Sequence, residues 1–373
     1  MTRRRNPRRG PDGSIPAEPR LRLREPVDVL AAIPYLVGYH PTESMVLLGM
    51  RGTQLVFTAR YDLPKTGASR EDMRTIVEHM LQVVLRQRLT GVLIVGFGAD
   101  ETVRPLAFTL RGAYFRAGLD VLEVLRAEAG HYWSYLCTDP LCCPEEGSPY
   151  DPGTSEVAAE WTVAGRVALP DRESYEKQLV PVDGPDRAAV RRATVRAGDR
   201  LLELLTRPVD EDAAELALID AGHEAIDAAL AQLRAGGKLT DDQVAWLSTL
   251  VASSNMAETA WTRIKRCGED LPLHRALWMD VMRRAEPDLT PGPGCLFAIA
   301  AWQGGDGSLA ALALERVLRI DPNYHVAEVL HELLSQGVPP MAFDQPPGRR
   351  VKPRPARRQR KRSSSRRAGS RRG

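Results

Sequence analysis

One discontinuity constrains the fold of this chain more than anything else. The stretch Pro140–Gly153 is rich in Pro, Gly and acids, and the hydrophobic pattern differs on its two sides. Ahead of it, β-rich runs alternate with helical spacing. Met45–Met50 and Gln54–Arg60 flank Arg51-Gly52-Thr53, which reads as a hairpin. Ser69 is an N-cap candidate, and Met73, Ile76, Val77, Met80, Leu81 and Val84 then recur on one helical face. Gly91–Gly96 is a continuous apolar run bounded by glycine, the pattern of a buried strand. A helix follows from about Val103 to Ala117, with Gly118 placed to end it. Asp120–Arg126 and His131–Cys137 read as two more strands around Gly130. The order β-β-α-β-α-β-β predicts a mixed sheet.

Behind the discontinuity no stretch reads as a strand. Ala, Leu, Glu and Arg dominate, with breaks at Pro181, Pro208, Gly236-Gly237, Gly268, Pro287 and Gly304-Gly305, which predicts about seven helices. Thr240-Asp-Asp-Gln243 is a capping box, the hydroxyl and the amide each satisfying an end of the first turn. The expected fold is α+β: an α/β domain over residues 25–150, then an all-α domain over residues 151–338. Leu296–Gly337 is the most patterned helical segment. Ala300, Ala301 and Trp302 close one helix, Gly304-Gly305-Asp306-Gly307 turns, and Leu309–Ile320 forms the next. This pair is similar to a tetratricopeptide hairpin and covers roughly one repeat; it is equally compatible with an ordinary helical pair.

Charge is segregated along the chain. Residues 1–24 hold eight Arg and two acids, and residues 348–373 hold thirteen Lys+Arg and no acid, while residues 25–347 hold 30 basic and 46 acidic residues. The formal net charge of +3 therefore hides an acidic body between two basic arms. Such arms stay solvated, so residues 1–24 and 339–373 are expected to be disordered. The tail at 348–373 offers a non-specific site for nucleic acid, or it neutralises the acidic body. No apolar stretch reaches about 18 residues and no apolar h-region follows Met1–Gly10, so the expectation is a cytoplasmic chain with reduced cysteines and no membrane partner.

Chemistry-bearing residues concentrate at the discontinuity. Cys137, Cys142 and Cys143 lie within seven residues, with His131 upstream. Thiolates and imidazole are zinc or iron–sulfur ligands, and a loop leaving a strand can gather them. The spacing departs from that of a standard zinc finger, and adjacent cysteines do not easily face one tetrahedral ion. A buried or oxidation-prone thiol pair is the competing reading. Cys267 and Cys295 read as core. Other signals are thinner. Gly96 and Gly98 precede a helix without a phosphate-loop spacing, Arg60 and Asp62 form either a substrate pair or an exposed ion pair, and His40 lies close to Ser44. Tyr132, Trp133 and Tyr135 alternate along one strand, as core or as a stacking face. No G-x-S-x-G or H-E-x-x-H occurs.

Several stretches together resemble a known family: Leu23–Tyr39, Ala59-Arg60-Tyr61-Asp62-Leu63-Pro64, Trp133–Pro144 and Gly305-Asp306-Gly307. The family is actinobacterial and catalogued as domain of unknown function 4192, and the resemblance spans about residues 25–340. It implies a bacterial cytosolic origin and brings no activity or functional residue. Three functional classes follow from the residues. The leading one is binding of a protein partner. The second is an enzyme with its site on the α/β domain, assisted by a metal, zinc for instance, at the cysteine loop. The third is nucleic-acid binding through the tail.

Overall fold

A computed structural model describes residues 25–340 except 66, 164–165 and 208–209. Residues 1–24 and 341–373, which include the arms expected to be disordered and the tail at 348–373 expected to offer a nucleic-acid site, lie outside the described residues. The first half runs α1 (Pro26–Val37), β1 (Ser44–Arg51), β2 (Gln54–Asp62), α2 (Arg70–Arg86), β3 (Gly91–Phe97), α3 (Asp100–Arg116), β4 (Asp120–Glu128), β5 (His131–Ser134) and β6 (Ser148–Pro149). Its strands form one sheet in the order β2-β1-β3-β4-β5-β6. Only β3 and β4 are parallel, joined by α3; the other neighbours are antiparallel, so the sheet is mixed as expected. β3 is buried at all seven positions, which is what its uninterrupted apolar run requires. Met45 and Leu47 of β1, Ile94 of β3 and Val124 of β4 pack one face of the sheet against Met80 of α2 and Leu106, Leu110 and Tyr114 of α3.

Three details depart from the sequence reading. The helix α1 has no counterpart in the expected order; Pro26 is tolerated at its first position, and Glu25 and Asp28 form a capping box. The helix α3 starts at Asp100, three residues before the apolar spacing that marked it. The strand β5 ends at Ser134 instead of Cys137, because Ser134 Oγ accepts the amides of Leu136 (3.2 Å) and Cys137 (3.0 Å) and turns the chain out of the sheet.

Beyond the sheet the chain is mostly helical: α4 (Glu156–Val163), α5 (Arg172–Glu176), α6 (Pro185–Thr206), α7 (Glu211–Arg234), α8 (Asp241–Leu250), α9 (Ser254–Arg266), α10 (Leu271–Arg284), α11 (Pro291–Gln303), α12 (Gly307–Ile320) and α13 (His325–Ser335). That is ten helices among the described residues where the sequence suggested about seven; short pieces such as α5, five residues long, carry too few turns to show a period. The capping box at Thr240 and Gln243 opens α8 as read. The helix α11 is buried from Pro291 through Trp302, so it is the axis around which this half packs.

The halves meet through specific contacts. Gly38 ends α1 in the left-handed region at φ +96°, and a Cβ there would lie 2.4 Å from the Tyr175 ring. Tyr175 stacks near Tyr39 with ring centroids 5.2 Å apart, and its hydroxyl donates to Asp306, the residue that caps α12. Arg172 reaches Asp62 at 3.4 Å, and Arg86 donates to the Gln336 side chain at 2.6 Å. No helix among the described residues is long and apolar enough to cross a membrane.

Candidate metal centre

The thiol loop is a structured excursion between two strands. At its start, Ser134 Oγ holds the amides of Leu136 and Cys137 while donating to Glu123 Oε1 at 2.9 Å. The Asp139 carbonyl then accepts from the amides of Cys142 (3.1 Å) and Cys143 (2.8 Å), and Asp139 Oδ1 accepts from Leu141 N at 2.9 Å. This single turn folds the adjacent cysteines back over Cys137. At its end, β6 pairs with β5, Ser148 opposite Tyr132 and Pro149 opposite His131. Gly147 sits at φ +86° with its α-carbon against the Trp133 indole, where a Cβ would approach to 2.5 Å. Trp133 Nε1 donates to the Glu145 carbonyl at 3.0 Å. Strand pairing and one aromatic seat thus hold both ends of the loop.

The result is that the sulfurs of Cys137, Cys142 and Cys143 all lie within 4.8 Å of one another. A tetrahedral ion with zinc–sulfur bonds of about 2.3 Å needs sulfurs about 3.8 Å apart, so small side-chain rotations close the set. The adjacency of Cys142 and Cys143, an objection at the level of sequence, is overcome by the turn at Asp139. His131 is not in this group. It stands at the start of β5, with Nδ1 3.3 Å from the Ala129 carbonyl and its ring beside Trp133. The three thiols are free.

The electrostatics set Cys137 and Cys143 apart. The backbone N–H of Asp139 donates to the Cys137 sulfur, the Cys143 and Cys142 thiols add to it, and together they hold Cys137 below the ordinary thiol range. Cys143 is pushed up to about 12 by burial and by donating to the other two sulfurs. A soft cation that binds all three sulfurs displaces the protons they hold, that of Cys143 above all.

A second polar group flanks the loop and was not singled out by motif. Arg126 is 7% exposed, with its guanidinium 3.6 Å from the Trp133 ring centroid, paired with Glu128 at 2.6 Å and with Asp100 at 3.5 Å. Tyr135 donates to Asp100 Oδ1 at 2.6 Å and receives Arg104 over its ring. Burial opposes ionisation of Asp100, but the bonds from Arg104 and Tyr135 outweigh it and its pKa is lowered. The aromatics of the strand therefore divide: Trp133 and Tyr135 serve this cluster, whereas Tyr132 faces Tyr150.

The thinner sequence candidates resolve into structure. Gly96 and Gly98 make the turn into α3: a Cβ on Gly96 would meet Val103 at 2.2 Å, and the Gly98 amide is spent on the Ala127 carbonyl at 3.1 Å. Arg60 and Asp62 form an ion pair at 2.5 Å with Arg60 Nε also donating to Ser44 Oγ. That hydroxyl donates to the Thr42 carbonyl, so its bonds run to Arg60 and Thr42 and not to His40.

With the fold and loop in view, comparison with known proteins gives one assignment. The family model described as domain of unknown function (DUF4192) matches residues 26–341, and the chain belongs to that family. No curated protein and no solved structure matches the chain.

Proposed function

We propose, taking this family membership as the premise, that the α/β half is a metal-binding domain in which Cys137, Cys142 and Cys143 hold one zinc ion. The observation that carries the reading is the convergence of three sulfurs within 4.8 Å on a loop tied to the sheet at both ends. Soft thiolates select zinc among the common divalent ions. Three protein ligands leave the fourth tetrahedral position to water or a substrate oxygen, the arrangement of catalytic rather than structural zinc. Zinc in that setting supplies a polarising charge and a bound water of lowered pKa. The chain's own residues supply the rest. Asp139 N–H stabilises the Cys137 thiolate, and Ser134 fixes the turn from which it projects. This reading favours an enzyme with a metal-assisted site over a protein-docking role for the helical half. Its α11, first helix of the tetratricopeptide-like hairpin, is buried on all sides.

Metal analysis of protein purified under reducing conditions tests it. The expected result is one equivalent of zinc, lost in Cys142→Ser together with a lower melting temperature. Protein that takes up no zinc on incubation, with Cys142→Ser as stable as the parent, leaves only a cluster of thiols.

A further inference from the structure

Away from the thiol loop, α7, α9 and α10 leave a cleft of about 890 Å³ between them. Its polar lining includes His223 and Asp227 of α7, Arg263 and Arg266 of α9, Asp270, and His274 of α10. Nothing in the thiol chemistry uses these groups.

His274 is the group that calls for a ligand. It is 3% exposed, it lines the cleft, and its Nδ1 has no hydrogen-bond partner among the described residues. Buried polar atoms are almost always bonded, and one left open beside a cavity marks where a ligand or an ordered water completes the set. Burial and the neighbouring Arg263 charge both lower the His274 pKa, while Asp270 and Asp227 act in the opposite sense, so the ring enters as a neutral imidazole able to donate or accept.

Arg263 is braced for recognition. One terminal nitrogen lies 2.7 Å from His223 Nδ1 and the other pairs with Asp227. A guanidinium only donates, so His223 Nδ1 is the acceptor and its ring props the Arg263 head. Asp270 is matched in the same way by Arg234 at 2.9 Å. With both aspartates neutralised, Arg266 stands three residues beyond Arg263 on α9 and pairs with no carboxylate among the described residues. Glu258 lies eight residues earlier on α9, about 12 Å along the axis, and shares the far end of the cleft with Glu215. The cleft is thus graded, basic at one end and acidic at the other.

We propose that this cleft binds a small molecule through an oxyanion, a carboxylate or a phosphate, held by Arg263, Arg266 and His274. Guanidinium groups match both anions with paired, charge-assisted bonds, and His274 supplies the third contact. The acidic far end accepts a neutral or cationic remainder and repels a second anion. The site is independent of the metal reading, since no residue is shared between them.

Titration calorimetry on the full chain, with inorganic phosphate and with succinate as separate probes, tests the proposal. At least one probe is expected to bind saturably, and Arg266→Ala is expected to weaken it about tenfold, the loss of one charge-assisted bond. Arg266 is exposed, so that variant keeps its fold; His274→Gln serves as the second variant and should also weaken binding. A response to phosphate alone identifies a phosphoryl group, and one to succinate alone identifies a carboxylate. Heat no larger than sodium chloride gives at equal ionic strength, or equal affinity in parent and Arg266→Ala, overturns the proposal.

Discussion

Cys137, Cys142 and Cys143 come from one turn of the chain, whereas Arg263, His223 and His274 come from three separate helices. The two centres are held differently. In the loop, backbone amides do the positioning: Ser134 Oγ and the Asp139 carbonyl fix where each cysteine projects. In the cleft, side chains position one another, and those side chains depend on how α7, α9 and α10 pack. A site made by a turn tolerates changes in a distant core. A site made by packing does not.

The largest effect that separates them comes from Trp278, fully buried on α10. Trp278→Ala should cost about 3–5 kcal/mol, read as a drop in the urea midpoint, and should abolish anion binding in the cleft. If zinc uptake survives under conditions where the variant is folded, the two centres are structurally separable. A loss under about 1 kcal/mol would contradict the packing described for the helical half.

Next is Gly147→Ala, which strikes the loop alone. The added carbon meets Trp133 at 2.5 Å in a left-handed backbone position, so the cost is about 1–3 kcal/mol and the metal affinity falls with it. Equilibrium competition with a chelator measures the second quantity. Unchanged affinity would show that the thiol turn forms without its aromatic seat.

A smaller effect, about 1 kcal/mol, is expected for Tyr135→Phe, which removes the bond to Asp100. The sign with pH is definite. The folded pKa of Asp100 is lowered, so its stabilising contribution is present above the unfolded value, about 3.9, and is lost as pH falls through the folded value. The difference between parent and Tyr135→Phe should shrink toward zero in acid. A difference that is constant across the acid limb would break the assignment of Asp100 as the acceptor.

The smallest effect is in thiol reactivity. In the metal-free protein Cys137 should alkylate at lower pH than Cys143, because its thiolate is stabilised and the other is pushed up to about 12. Mass spectrometry of partially labelled protein orders them. Metal binding must remove the proton held by Cys143, so zinc affinity should rise with pH.

This difference in construction also explains what could be read from the sequence. The mixed sheet was legible because β3 is an unbroken apolar run and α2 has one apolar face behind a capping serine. The thiol cluster was legible because its three cysteines sit within seven residues. The helix α1 escaped because its two prolines break the usual helical pattern. His131 was grouped with the cysteines by proximity in sequence, but it is the first residue of β5, whereas the turn that leads to Cys137 starts at Ser134, the last. Arg126 and Asp100 belong to a strand and a helix 26 positions apart, and only the parallel pairing of β3 with β4 brings them together. His274 and Arg263 carried no signal at all, since helical residues meeting across three helices follow no motif.

X-ray absorption at the zinc edge of the loaded protein tests the central claim most directly. Three sulfur neighbours at about 2.3 Å and one lighter oxygen or nitrogen neighbour near 2.0 Å are the expected shell. A shell of oxygen and nitrogen alone would place the metal elsewhere and contradict the assignment of Cys137, Cys142 and Cys143 as its ligands.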